Sequence, residues 1–79
     1  MELIKLGQYR HYKGKLYEVV GFAINAQDDS FEELVLYKPL YRTKFKKDTV
    51  FAQSKSRFLE KVSVNGIKVA RFKYVEDGR

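Results

Sequence analysis

"GQYRHYKGKLYEVVGFA" (residues 7–23) decides the fold. Residues 8–12 alternate along an extended chain, Lys13-Gly14 supplies a turn, and residues 15–23 continue as a second strand. Gly14 can take the positive φ that a tight hairpin demands. Within the first strand, Tyr9 and His11 point one way and Arg10 and Tyr12 the other. A thin domain must bury one of these faces, so Tyr9 and His11 are expected to be structural and Arg10 and Tyr12 exposed. Along the second strand, alternation places Tyr17, Val19, Gly21 and Ala23 on one face, and Leu16, Glu18, Val20 and Phe22 on the other. Both faces are largely apolar, which predicts a strand central to its sheet. Gly21 suggests a bend or bulge there.

The rest of the chain extends this all-β reading. "NAQDDS" (25–30) is a polar turn. A strand over 32–38 follows, with Glu33, Val35 and Tyr37 on one face and Leu34 and Leu36 on the other. Pro39 ends regular pairing because it lacks the N–H a ladder needs. Residues 40–50, "LYRTKFKKDTV", lack alternation and read as an exposed loop. A short strand is expected at 50–52, and Ser54 is placed to cap a single helical turn through Phe58. Asn65-Gly66 between residues 61–64 and 67–75 is a strong two-residue hairpin signal. No segment has sustained helical periodicity. Five or six short strands with close turns predict a small antiparallel barrel or roll with at most one helical turn. The predicted core contains Tyr17, Val19, Val35 and Phe72. Length allows one domain, 1–79, with the barrel at about 7–75 between short tails.

Composition bounds the function. The chain has 79 residues and no Cys, and its net charge is +6. A domain this small buries roughly 60% of its unfolded surface and has a thin core. A small secreted domain would usually be stapled by disulfides, so a reducing compartment, the cytoplasm, is expected. No stretch approaches the roughly 20 apolar residues of a membrane-spanning helix, and no membrane partner is expected. The positive charge favours polyanions such as RNA or DNA.

Catalysis is not expected. His11 is the single His, so a zinc site built from His or Cys ligands lacks its donors. No motif sets a Ser beside His11 with an acid. The glycines, at 7, 14, 21, 66 and 78, are isolated and make no phosphate loop. Asp28, Asp29, Glu32 and Glu33 lack the alternation and the Gly of a calcium loop and read as a solvated acidic turn. Neither a cofactor nor a metal is expected.

Binding is the better reading. "KPLYRTKFKK" (38–47) interleaves Lys and Arg with Tyr41 and Phe45. Phosphates would meet the charges, and aromatic faces could stack on bases. The candidate surface is Arg10, Tyr12, Tyr41, Arg42, Lys44, Phe45, Lys46 and Lys47, with Lys13 and Lys15 as added charge. The alternative is a protein- or peptide-interaction module, its groove drawn from Tyr9, Tyr12, Tyr37, Tyr41 and Tyr74.

Four phrases together, "YRHYKGKLYEVVGFA" (9–23), "EELVLYKPLY" (32–41), "FLEKV" (58–62) and "RF" (71–72), resemble the small bacterial family called domain of unknown function 1653. The resemblance implies an SH3-like barrel and no established activity. Two places depart from the family pattern. The turn after the second strand lacks the usual His, and Phe51-Ala52-Gln53-Ser54 stands where a Trp-Val-Arg-Pro-like phrase is usual. The counterparts present are Tyr9, Arg10, His11, Tyr12, Tyr37, Tyr41, Arg71 and Phe72.

Overall fold

The computed structural model describes residues 4–27 and 29–75, so Asp28 and both predicted tails lie outside the described residues in whole or in part. Seven strands and one helical turn follow in the order β1 (Gly7–His11), β2 (Leu16–Asn25), β3 (Glu32–Pro39), β4 (Phe51–Ser54), α1 (Lys55–Phe58), β5 (Lys61–Val64), β6 (Ile67–Ala70) and β7 (Phe72–Tyr74). One antiparallel sheet has the order β4-β3-β2-β1-β7, and β5-β6 forms a separate ribbon. β2 is therefore central, as its two apolar faces require. The sheet does not close on itself, so the molecule is a small all-β roll in keeping with an SH3-like fold rather than a sealed barrel.

The first hairpin pairs Tyr9 with Tyr17 and Arg10 with Leu16. Gly14 sits at φ 105° in its turn. Between Val19 and Gly21 the β2–β3 register shifts, so β2 carries an extra residue there. This bulge corrects the simple alternation. Val19 pairs with Tyr37, but Phe22 then pairs with Val35 and Ile24 with Glu33. Directly opposed residues share a face. Phe22 and Ile24 therefore join the Tyr17–Val19 face, and Gly21 and Ala23 pass to the other.

The run 67–75 is two strands, not one. Its first part pairs with β5 around Asn65 (φ 52°) and Gly66 (φ 81°), the two positive φ values of a type I′ turn. Its second part pairs with β1, with Phe72 opposite His11. Arg71 is the pivot: its N–H donates to the Glu60 carbonyl, and its own carbonyl accepts from the Tyr12 N–H. The apolar positions change parity at this bend, from Ile67 and Val69 to Phe72 and Tyr74, as the partner changes from β5 to β1.

Tyr9, Val19, Val35, Tyr37, Phe58 and Phe72 form the buried core, with Ile4, Tyr17 and Phe51 packed against it. Tyr17 is thus half-buried at the margin rather than central. Ser54 caps α1 by accepting the Arg57 N–H at 3.2 Å. The single turn exists to insert Phe58, which stacks on Phe72 at 4.4 Å and 6° and meets Tyr9 edge-on at 5.3 Å. Among the described residues no helix is long and apolar enough to cross a membrane.

Candidate functional site

Two basic segments far apart in sequence meet at one end of the β2–β3 ribbon. The Leu40 N–H donates to the Leu16 carbonyl at 3.0 Å and carries the loop 40–50 back to the first hairpin. The hydroxyls of Tyr17 and Tyr41 share a 2.6 Å hydrogen bond, and their rings meet edge-on at 5.4 Å. The Lys15 ammonium stands 4.8 Å from the Tyr41 ring centroid. Lys13 lies 5.9 Å from the Tyr12 ring and Lys44 5.5 Å from the Phe45 ring. Each of these rings therefore has an ammonium over its face, the arrangement that the ring quadrupole favours.

The rings are braced from behind. Phe45, 51% exposed, meets Phe51 edge-on at 5.6 Å, and Phe51 in turn meets the buried Tyr37. Tyr12, 39% exposed, lies 4.6 Å from the His11 ring. Fixed aromatic surface of this kind can be covered by a planar group at little entropic cost. The loop itself encloses a concavity of about 340 Å³, lined by Tyr41, Arg42, Phe45, Lys46 and Lys47 among others. Its shape is held by local bonds. The Thr43 hydroxyl accepts the Phe45 N–H, and the Thr49 hydroxyl donates to the Lys46 carbonyl. Asp48, at φ 69°, reaches Lys38 at 3.7 Å and leaves the other loop cations without an ion pair among the described residues.

Electrostatically the face is cationic. The His11 Nδ1 accepts the Lys13 N–H at 3.2 Å. Partial burial, then the charges of Arg71 and Lys13, hold its pKa below the usual histidine value. His11 is therefore neutral at neutral pH. Burial and the Tyr41 hydrogen bond push the Tyr17 hydroxyl far above the usual tyrosine range, and burial also raises Tyr37. Charge in the site comes from Lys and Arg. Arg71 is held at 2.8 Å by Glu60, and its Nε is buried without a partner among the described residues. No group of three or more His, Asp or Glu side chains gathers to hold a metal among the described residues.

Tyr12, Tyr41, Arg42, Lys44, Phe45, Lys46 and Lys47 thus fall on the hairpin turn and the loop beside it. Arg10 does not join them. It pairs with Leu16 and Lys73 on the opposite face of the sheet from Tyr17, and its guanidinium donates to the Gly14 carbonyl. Tyr9 and Tyr37, two members of the alternative groove, are buried. Lys15 and Tyr17 prove more central than sequence implies. Their signal was the shared turn, but nothing local says that residue 41 returns to it.

The family model described as "Protein of unknown function (DUF1653)" matches residues 7–74. The chain belongs to this family. It is similar to the crystal structure of a DUF1653 protein from Bordetella bronchiseptica, at 30% identity and TM-score 0.77 over 91% of this chain and 87% of that one. No curated protein matches it. Within DUF1653, the matched span takes in both basic segments and the Tyr17–Tyr41 contact.

Proposed function

We propose that this DUF1653 protein is a small cytoplasmic binding module without catalytic activity that takes single-stranded nucleic acid, RNA or DNA, on its basic aromatic face. The observation that carries this reading is the Tyr17–Tyr41 hydroxyl bond. It joins Lys13 and Lys15 to the loop bearing Arg42, Lys44, Lys46 and Lys47, and so concentrates cations around exposed rings. Phosphates neutralise the lysines and release counterions, while bases stack on Tyr12, Tyr41 and Phe45. The loop concavity of about 340 Å³ lies at the small end of ligand pockets and suits one nucleotide unit of a longer strand. Burial of Tyr9 and Tyr37 weakens the case for a peptide groove.

The test is titration of labelled single-stranded RNA and DNA at two salt concentrations. The native chain should bind at low salt and weaken steeply as salt rises. Changing Lys44, Lys46 and Lys47 together to Gln should remove most binding, each lost phosphate contact lowering the salt slope by about 0.7. Stability should stay within about 0.5 kcal/mol, since the three side chains are exposed. No binding by the native chain at low salt overturns the reading and returns a protein partner to first place.

A further inference from the structure

One group in the loop concavity has no part in phosphate binding or in stacking. Asp48 is the single carboxylate among its lining residues, beside the cations Arg42, Lys46 and Lys47. A carboxylate at this place repels a phosphate and weakens the cationic face. It suits a group that donates hydrogen bonds, because an ionised carboxylate only accepts, through two oxygens.

The loop fixes this carboxylate and leaves it open. The Lys46 carbonyl accepts the Thr49 N–H at 3.1 Å and the Thr49 hydroxyl at 2.7 Å, which closes a turn over residues 46–49. Asp48 lies within that turn at φ 69°, a conformation that Asp and Asn tolerate better than most side chains. Its ion-pair partner, Lys38, stands 3.7 Å from Oδ1, beyond hydrogen-bond distance, and the Asp48 side chain is 69% exposed. The two oxygens therefore remain accessible to a donor from outside the chain.

Tyr41 and Phe45 line the same concavity. A base stacked there turns its edge toward the other lining residues, and single-stranded bases are read on their Watson–Crick edges. Guanine alone presents two adjacent donors on that edge, N1–H and the N2 amino group, which match the two oxygens of one carboxylate. Adenine, cytosine and uracil each set an acceptor beside their donor, so a second carboxylate oxygen would face a lone pair. We propose that Asp48 makes the loop concavity a guanine-selective subsite, its carboxylate accepting from N1–H and the N2 amino group while a lining cation donates to O6. The inference rests on the nucleic-acid reading and adds base selection to it.

The experiment is titration, at low salt, of labelled uridine strands that carry a single central guanosine, inosine or adenosine. The native chain should bind the guanosine strand about fivefold to a hundredfold more tightly than the adenosine strand, the range of one bidentate contact to a base. Inosine, which lacks the N2 amino group, should lose most of that preference. Asp48→Asn keeps the size of the side chain and its tolerance of positive φ. It should bind the three strands alike and hold the adenosine strand at least as tightly as the native chain does, since an anion has left the face. An Asp48 that only shaped the loop would instead weaken all three strands equally on substitution. A native chain that binds the guanosine strand no better than the adenosine or the inosine strand overturns the inference and leaves nucleic-acid binding standing, as does an Asp48→Asn variant that keeps the preference. Failure of the native chain to bind any strand overturns both.

Discussion

At the Tyr17–Pro39 end of the β2–β3 ribbon, aromatic rings meet lysines. At the Asn25–Glu32 end, Phe22 and Ile24 line a groove with the paired Glu33 and Lys55. Both ends use the same strands and the same period of two. They differ in what stands behind the exposed side chains. At the basic end each ring is braced by another ring, and Tyr41 is fixed by a hydroxyl bond to Tyr17. At the other end a bulge presents large apolar groups past the limit of the core, where no ring lies against them among the described residues. A braced ring with an ammonium above it suits a planar anionic ligand. An unbraced apolar groove whose charged lining residues, Glu33 and Lys55, neutralise each other offers such a ligand neither a braced ring nor free charge.

The strongest way to break the comparison is to remove what the two ends share. Phe58→Ala deletes the ring stacked on Phe72 and should cost about 3–5 kcal/mol, seen as a large drop in the urea midpoint with loss of both surfaces. Val35→Ala, at the most buried position and directly opposite Phe22, should cost roughly 1–3 kcal/mol. An unchanged midpoint would place Val35 outside the core.

Tyr17→Phe sharpens the comparison, because it cuts the tie at the basic end alone. The lost hydrogen bond should cost about 0.5–1.5 kcal/mol and weaken nucleic-acid binding. It also predicts a pH signature. The folded Tyr17 pKa is raised above its unfolded value of about 10, so its contribution is complete below that pH and is lost as pH rises past it. The variant should therefore show a shallower alkaline loss of stability in denaturation series.

The smallest effect belongs to His11. Its folded pKa lies below the unfolded value of about 6.5, so the unfolded chain takes up the proton first as pH falls. Its contribution is complete above about pH 6.5 and declines below it. His11→Gln should flatten stability between about pH 7 and pH 5, which matched denaturation curves of the two chains would read. Equal slopes would show that burial and the cationic neighbours do not lower the His11 pKa.

Much of the fold was legible because its signals are local. The Asn65-Gly66 turn, the Ser54 cap, the Gly14 hairpin and the faces of β3 depend on φ preferences and hydrogen bonds spanning a few residues. They emerge in the structure at those positions. The site was legible only in its parts. The loop 40–50 reads as irregular and basic from its composition, but charge alone does not say on which face of the first hairpin Arg10 lies, and the β1–β2 ladder sets it on the opposite face from Tyr17.

Composition and pattern determined an all-β chain of high positive charge, its turns, its helical cap and most of its core, since each follows from one residue's conformational limits or from burial of one strand face. Tertiary structure decided three things. It chose β1 as the partner of β7, it moved Phe22 and Ile24 past the bulge onto the core-bearing face, and it brought residue 41 back to residue 17. In each case the choice rests on burial and pairing summed over distant strands, and a period of two reads the same whichever partner lies alongside.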